Sequence, residues 1–360
     1  MNKSVALLLV LFLTGTVIVV ANPVSAADLG SWTVKAPMQE ARSDLNVATV
    51  NGKIYAIGGD TREGSWPYTG GIVGTNEEYD PATNKWAFKT PMPTPRNLFG
   101  TDVYHNKIYC IGGNTNTFSS TGVIEVYDPK TDSWDNRTSM PTTRHRLDAN
   151  VVDGKIYLIG GYDRSLPYGG DATDINEVYD PETDTWSTKT PMLARKCDYA
   201  SAVVGDKIHI IGGYSIVGHT EWNLHQIYDT KTDKWSYGAP FPHQILSSEK
   251  AGVTSGLDAP VRIYVFGEMR DTGGDYEYAV RVYDPEDDSW TAGANIPTIR
   301  GCFGVGVLDD LFYVIGGVTS DSVPFPLSLY ADPPDLSKHT RTEMYTPIGY
   351  GTISPEVSII

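Results

Sequence analysis

Basic residues recur at one place in a pattern that repeats along the chain, four residues after a methionine or its equivalent. These positions are Arg42, Arg96, Arg144, Lys196 and Arg300. We expect most of them to be structural, with side chains that donate to loop carbonyls between neighbouring units. Two residues beyond each lies a second series, Asp44, Leu98, Arg146, Asp198 and Cys302. Unlike residues at equivalent positions favour a tailored binding pocket, and the competing interpretation is the lining of a water-filled channel.

Aromatic residues in the segments between these positions could also contact a ligand. Trp66 and Tyr68 precede one Gly-Gly pair, Tyr168 precedes another, and Trp222 lies in a further segment. Exposed rings can stack on a sugar or on a peptide side chain. The competing interpretation is that they pack loops against the body of the protein.

Composition excludes several classes of function. The formal net charge of −16 argues against nucleic acid as a partner, because phosphate-backbone binders present clustered Lys and Arg. The sequence contains no Gly-rich phosphate loop, nucleophile elbow or metalloprotease motif. The 7 histidines are dispersed, and the 3 cysteines, Cys110, Cys197 and Cys302, lack the paired spacing of a zinc site. We therefore expect neither a metal nor another cofactor, and the cysteine pattern leaves the thiol or disulfide state open.

Short strands are predicted by two signals that recur with a period of about 52 residues. The first is an apolar run that ends in a glycine pair, at 54–59, 108–113, 156–161, 208–213 and 312–317, with Glu268 replacing the second glycine at 263–268. The second is a Tyr followed seven residues later by a Trp, at Tyr79, Tyr127, Tyr179, Tyr228 and Tyr283. An Asp, usually followed by Pro, lies between them, which predicts a turn and therefore a hairpin.

The glycine pair, the Tyr, the Trp and Pro-Met dipeptides at 37–38, 91–92 and 191–192 resemble kelch repeats over residues 30–347. The resemblance implies an all-β fold, a six-bladed kelch β-propeller with four-stranded antiparallel blades. The segment 31–36 matches a fourth strand, and the last repeat lacks its Trp. We therefore expect the N-terminal strand to close the last blade, which removes unpaired sheet edges.

The segment from the glycine pair to the Tyr varies from 13 residues in the second repeat to 27 in the sixth. The Tyr-to-Trp interval does not vary in the five complete cases. Variation should therefore be confined to one face of the propeller, and repeat-specific insertions on one face favour a binding surface there. Strand alternation predicts that the series beginning with Asp44 lies near the mouth of the central channel.

The first residues predict export. Lys3 precedes a largely apolar run, 5–20, and Val24-Ser25-Ala26 supplies small residues for cleavage. We therefore expect a signal peptide over 1–26, a propeller over 27–347, and a tail or linker over 348–360 that could begin a further domain. The protein would be secreted, or held at the cell surface if the signal stays uncleaved as a membrane anchor.

These expectations favour an extracellular recognition module that binds a glycan or a protein partner through its loop face, rather than an enzyme. The alternative comes from a weaker resemblance to N-acetylneuraminate epimerase, an exported kelch propeller that interconverts sialic acid anomers. In that family a Glu takes the second glycine position of one repeat, as Glu268 does here. Arg270 matches the family's arginine in type but comes too early in spacing. The resemblance implies that the carboxylate moves the anomeric proton while the guanidinium pairs with the sugar carboxylate.

Overall fold

The computed structural model describes residues 29–62, 71–117, 119–166, 170–216, 222–245, 250–270, 276–320 and 336–352. These residues form strands and turns, with no α-helix among them. The strands make six antiparallel blades, as the repeats predict. We number the blades 1 to 6 along the chain and call the four strands of each inner, second, third and outer.

The first three blades are regular. Blade 1 consists of Asn46–Val50, Lys53–Ile57, Asn76–Asp80 and Lys85–Lys89. Blade 2 consists of Gly100–Tyr104, Lys107–Ile111, Ile124–Asp128 and Ser133–Arg137. Blade 3 consists of Ala149–Val152, Lys155–Ile159, Asn176–Asp180 and Thr185–Thr188, with a small hairpin of Tyr162–Asp163 and Asp171–Ala172 in its loop.

The other three blades include the irregular ones. Blade 4 consists of Ala200–Val204, Lys207–Ile211, His225–Asp229 and Lys234–Tyr237. Blade 5 consists of Lys250–Val253, Ile263–Arg270, Tyr276–Asp284 and Ser289–Ala292, with an additional short strand, Gln244–Ile245. Blade 6 consists of Gly304–Leu308, Leu311–Ile315, Thr342–Thr346 and Ser31–Lys35, with a loop hairpin of Val318–Ser320 and Leu336–Lys338.

The glycine pair ends the second strand of five blades because both residues take left-handed backbone angles. In blade 1, Gly58 has φ +64° and Gly59 has φ +108°. A Cβ atom on Gly58 would lie 2.5 Å from the Arg96 carbonyl oxygen, so only glycine fits there. In blade 5, where Glu268 replaces the second glycine, the second strand continues to Arg270 and pairs with Tyr276–Asp284.

The apolar core lies between the blades rather than within them. Tyr55 and Ile57 of blade 1 pack with Phe99 and Cys110 of blade 2, and similar clusters fill the other seams. One twisted sheet has no partner for its own apolar face, so each blade depends on its neighbours for burial. Each such side chain contributes about 1.5–3 kcal/mol when fully buried.

The recurring Tyr and Trp join neighbouring blades at the outer edge. In blade 2, the Tyr127 hydroxyl donates to Asp132 Oδ1 at 2.7 Å, and the same oxygen accepts the Thr90 N–H at 2.9 Å. Trp134 Nε1 donates to the Thr90 carbonyl at 2.9 Å. Thr90 follows the outer strand of blade 1, so the outer hairpin of blade 2 binds both backbone groups of a residue in the neighbouring blade. We call this arrangement the outer staple.

The outer staple recurs at four further seams. The accepting turn residues are Asn84, Asp184, Asp233 and Asp288, each with positive φ, and the residues held are Ala36, Thr138, Thr190 and Ala239. Asn and Asp tolerate left-handed angles better than most residues. The spacing of Tyr and Trp in the sequence is therefore explained by a contact between blades.

The N-terminal strand closes the ring, as predicted. Ser31–Lys35 pairs with Thr342–Thr346 and places Trp32 opposite Tyr345. The Leu29 carbonyl takes the role of the missing turn carboxylate, because it accepts the Tyr345 hydroxyl at 2.5 Å and the Ala294 N–H at 2.8 Å. Trp32 Nε1 donates to the Ala294 carbonyl at 3.3 Å. The sixth seam therefore has the same geometry with a different acceptor.

The predicted signal, residues 1–26, lies outside the described residues. Beyond the last strand, the Gly351 N–H donates to the Asp258 carbonyl at 2.7 Å, so the first part of the predicted tail rests on a loop of blade 5. The rest of the tail, 353–360, also lies outside the described part of the chain.

Candidate functional site

The loops after the second strands and the connections into the inner strands lie on the same face of the propeller, because blade topology brings both to one end. The glycine-pair loops are on this face, which we call the loop face. The connections between inner and second strands lie on the opposite face, and they are two residues long in every blade except blade 5. Both groups of candidate residues from the sequence therefore belong to one surface.

The basic series beginning with Arg42 forms a buried frame beneath the loop face. Arg96 Nη1 donates to the Gly112 and Val123 carbonyls at 2.7 and 2.8 Å, and Nη2 pairs with Glu125 at 2.8 Å. The equivalent ion pairs are Arg42–Glu77, Arg144–Glu177 and Arg300–Glu343. The side chains bond carbonyls of their own blade, not between blades as we expected, because each side chain points back under its own loop.

Blades 4 and 5 replace this ion pair. In blade 4 the cation is Lys196, and the carboxylate position is occupied by Gln226, which bonds both backbone groups of Ala194, at 2.8 and 3.0 Å. In blade 5 the carboxylate position is occupied by Arg281, whose Nε donates to His243 Nε2 at 2.9 Å. The frame beneath the loop face therefore consists of buried Arg–Glu ion pairs in four blades and of other polar contacts in blades 4 and 5.

The second series, Asp44, Leu98, Arg146, Asp198 and Cys302, meets around the axis as predicted. All five have positive φ, between 49° and 58°. The Asp44 N–H donates to the Cys302 carbonyl at 2.7 Å, and the same bond runs from Leu98 to Asp44, from Arg146 to Leu98 and from Asp198 to Arg146. These bonds link five blades in series. We call the five residues the mouth ring.

The mouth ring surrounds a small cavity of about 20 Å³ that opens to solvent. Its wall also includes Phe99, Phe303, Asp148 and Lys250. Arg146 forms an ion pair with Asp198, and Lys250 Nζ lies 2.8 Å from Asp148 Oδ1. Burial raises the pKa of the Asp198 carboxyl even with this arginine beside it. The arrangement can recognise a polar or charged group, and it offers apolar surface beside it.

A second cavity, of about 230 Å³, continues along the inner strands. Its polar lining residues are Asn46, Thr101, Asp102, Asp148, Asn150, Ser201 and Lys250. Burial raises the pKa of Asp102 to about 6, so this carboxyl is largely ionised at neutral pH. The two cavities share Asn46, Asp148 and Lys250. Together they form the central channel of the propeller.

Sequence reasoning missed Asp148 and Lys250. Lys250 begins the inner strand of blade 5, and Asp148 directly precedes that of blade 3. Both occupy the position equivalent to Asn46, two residues beyond the mouth-ring position of the repeat. One further step of strand alternation would have found Asp148. Lys250 was hidden because the fifth repeat has neither the Pro-Met dipeptide nor the basic residue that marks the position in other repeats.

Three of the four predicted loop aromatics, Trp66, Tyr68 and Tyr168, lie outside the described residues. The fourth, Trp222, stacks on Tyr214 with ring centroids 6.3 Å apart and packs beside Ala172 and Cys197. It thus spans the loops of blades 3 and 4 on the loop face. Trp222 therefore packs against neighbouring loops, and its contact with a ligand stays a prediction.

The alternative catalytic pair, Glu268 and Arg270, lies on the extended second strand of blade 5, opposite Tyr278 and Tyr276. The placement of both side chains lies outside the described part of the structure. The extension separates this blade from the other five, in which the second strand stops at the glycine pair. The two residues therefore belong to a hairpin that rises on the loop face.

The cysteines form no disulfide. Cys110 and Cys197 are buried, and burial raises the pKa of the Cys110 thiol to about 12. Within the described ranges, no group of three or more His, Cys, Asp or Glu is placed to hold a metal ion. The same residues include no helix that is long and apolar enough to cross a membrane.

A ring of six four-stranded antiparallel blades, closed by the N-terminal strand, defines a β-propeller. The kelch motif model matches residues 41–93, 95–141 and 143–193, which cover blades 1 to 3. The chain is a kelch-repeat six-bladed β-propeller. Kelch propellers generally bind proteins, so protein binding is the coarse function that this class supports.

Similar curated proteins include Kelch-like protein 26 of Danio rerio, 29% identical over 228 residues, which are 52% of this chain and 30% of that protein. The Influenza virus NS1A-binding protein homolog of Mus musculus is 44% identical over 78 residues, 22% of this chain and 11% of that protein. Kelch-like protein terF of Aspergillus terreus is 41% identical over 88 residues, 23% of this chain and 18% of that protein. The chain therefore matches less than a third of the length of these relatives.

Proposed function

We propose that this protein is an exported recognition module that binds an extracellular protein or a glycan through its loop face, with the mouth ring at the centre of the contact. One observation carries the proposal: five side chains of four different types, from five blades, converge on one solvent-open cavity. The frame beneath them is repeated, whereas the residues that face solvent are not. A repeated scaffold with individual side chains at its centre is the arrangement that recognition requires.

The backbone of the mouth ring supports the same proposal. Glycine is the least strained residue at positive φ, yet Leu98, Arg146 and Cys302 occupy such angles, at 53°, 58° and 56°. A non-glycine residue held there costs about 1 kcal/mol or more. The chain therefore places side chains around the mouth at positions where a purely structural ring would be more stable with glycine.

The extracellular part of the proposal rests on residues 1–26 alone. Expressing the full chain in an exporting host, followed by N-terminal sequencing of the medium and membrane fractions, tests it. Protein in the medium that begins near Ala27 supports secretion. Protein that keeps its first residues in the membrane fraction supports an anchor, and protein confined to the cell interior contradicts export.

The binding part is tested with arrays of extracellular proteins and glycans probed with the purified chain. Arg146→Gln alters the mouth, and Lys130→Gln removes a charge from an exposed turn on the opposite face. We expect a hit whose affinity changes with Arg146→Gln and is unchanged with Lys130→Gln. A hit that weakens only with Lys130→Gln would place binding on the wrong face.

One assay distinguishes the enzymatic alternative from the recognition module. NMR follows the interconversion of sialic acid anomers with the wild-type chain and with Glu268→Gln. Acceleration that is lost in the variant would replace the binding proposal with the mutarotase. Partner binding without acceleration supports the recognition module.

A further inference from the structure

The charges of the mouth do not balance. Within the described residues, its wall contains three carboxylates, Asp44, Asp148 and Asp198, and two cations, Arg146 and Lys250. Each cation already has a carboxylate partner, since Arg146 pairs with Asp198 and Lys250 with Asp148. Asp44 accepts one hydrogen bond, from Ser43 Oγ at 3.1 Å, and forms no ion pair with any described residue. One carboxylate in the mouth therefore has no ion pair of its own, and it shares the charge of Lys250 with Asp148 and Asp198.

Asp44 is also held in place. Its N–H donates to Cys302 and its carbonyl accepts the Leu98 N–H at 3.3 Å, so both backbone groups are fixed by neighbouring blades. A carboxylate on a fixed backbone loses little conformational entropy when it binds.

The channel below the mouth contains an independent sign of a missing polar group. Asn150 lines the larger cavity and is 3% exposed. Ser201 Oγ lies 3.0 Å from Asn150 Oδ1, while Asn150 Nδ2 has no hydrogen-bond partner among the described residues. If the amide is turned over, Nδ2 donates to Ser201 Oγ and Oδ1 is the atom left without a partner, and in that orientation a cationic group could donate to it. Either orientation leaves a buried polar atom that a ligand atom or a water could satisfy.

The remaining charge in the channel has the same sign. Asp102 lies in the larger cavity, and the chain as a whole has a net charge of −16. A cleft lined by excess negative charge raises the local concentration of cations and repels acidic groups. An acidic ligand would have to separate Arg146 from Asp198, or Lys250 from Asp148, and would still meet Asp44.

We propose that the mouth accepts an arginine or lysine side chain of the partner, with its cationic end paired to Asp44. This inference rests on the proposed function, since it names the chemistry recognised at the same site. The aliphatic part of such a side chain would pack against Leu98 and Cys302, which line the same cavity and are partly exposed. A guanidinium is favoured over an ammonium because its planar fork matches a carboxylate with two hydrogen bonds.

The test uses four pools of seven-residue peptides with random flanks and a fixed central Arg, Lys, Gln or Glu. Binding of each labelled pool to the purified propeller is measured by fluorescence anisotropy at low and at moderate salt. Asp44→Asn removes the charge and keeps the shape, and Asn tolerates the left-handed backbone. Asp153→Asn is the matched control, because Asp153 is an exposed Asp with φ 48° in a turn on the opposite face.

We expect the Arg pool to bind most strongly, the Lys pool next, and the Gln and Glu pools least. Asp44→Asn should weaken the Arg pool by about 10-fold or more, which is the loss of one charged hydrogen-bonded pair. Asp153→Asn should change nothing. Equal binding of the four pools, stronger binding of the Glu pool, or an unchanged affinity in Asp44→Asn would overturn the inference.

The outcome can be separated from that of the proposed function. If array hits respond to Arg146→Gln but no peptide pool depends on Asp44, the loop face binds partners and the cationic chemistry is wrong. If array hits respond only to changes on the opposite face, both proposals fail.

Discussion

The outer staples and the mouth ring are built from the same repeats but follow opposite rules. At the outer edge, five seams use the same Tyr, Trp and Asn or Asp to make the same three hydrogen bonds. At the mouth, five blades use the same left-handed backbone angle and are linked by the same kind of backbone bond, but their side chains are of four different types. Under the proposed function, the repeated outer contacts stabilise the ring and the varied side chains of the mouth ring recognise the partner. Substitutions in the framework should therefore cost stability, whereas substitutions in the mouth should change binding.

The largest effect should come from the buried frame. Glu125→Ala leaves the Arg96 guanidinium buried without its carboxylate, which should cost about 3–5 kcal/mol of unfolding free energy. Gln226→Ala in blade 4 removes hydrogen bonds to Ala194 only and should cost about 1–2 kcal/mol. Urea denaturation of the two variants checks the difference. Equal losses would mean that the two kinds of frame are energetically the same.

The next largest effect should be on the pH dependence of stability, and it concerns the seam between blades 4 and 5. His209 Nδ1 and His225 Nε2 lie 2.8 Å apart, and His225 Nδ1 lies 3.2 Å from the Ala239 carbonyl, so both rings are held neutral. Burial lowers the pKa of His209 to about 3 and that of His225 to about 4. The other charged groups near the pair are Lys207 and Asp288.

Because the unfolded chain protonates these histidines near pH 6.5, their contribution to stability is complete above that pH and is lost as the pH falls towards 4. Each histidine gives a slope of up to about 1.4 kcal/mol per pH unit. When the unfolding free energy is plotted against pH, His209→Gln should reduce the slope between pH 6.5 and 4 by the contribution of one histidine. Wild type and variant should run parallel above pH 7, and parallel curves throughout would refute a neutral buried pair.

A smaller effect is expected from one outer staple. Asp132→Ala removes the acceptor for both the Tyr127 hydroxyl and the Thr90 N–H and should cost about 1–2 kcal/mol. Asp132→Asn keeps an acceptor oxygen, as Asn84 does in blade 1, and should recover most of the loss. Thermal unfolding of both variants measures the loss of stability and its recovery. No recovery with Asn would show that the negative charge, rather than the acceptor, holds the seam.

The smallest effect on stability should be at the mouth. Leu98→Gly relieves a left-handed backbone and loses a partly exposed side chain, so the unfolding free energy should stay within about 1 kcal/mol of wild type. Binding of a loop-face ligand should weaken. A loss of several kcal/mol in urea denaturation would make Leu98 a framework residue and blur the distinction between the two regions.

Much of the fold could be predicted because the determining interactions are local and repeated. The Tyr-to-Trp spacing marks a hairpin in every complete repeat, and Trp32 without a preceding Tyr predicts closure of the ring. The contacts that need three dimensions could not be predicted. The pairing of Arg42 with Glu77 depends on a loop folding back over its own blade, and nothing in the sequence spacing shows that direction.

The candidate site was predictable in part for the same reason. The mouth ring follows from strand alternation in five repeats that share a landmark. Lys250 could not be placed because its repeat has lost the landmark, and Asn150 shows its missing partner only when the channel around it is known. Side chains that converge from different blades leave no spacing to find in one sequence.

The most direct test of the central claim is hydrogen–deuterium exchange of the chain with and without its strongest array ligand. The account predicts protection in segments 42–46, 96–100, 144–148, 196–200 and 300–304, which contain the mouth ring, and no change in the turns of the opposite face. Protection confined to the outer strands or to the opposite face would contradict it.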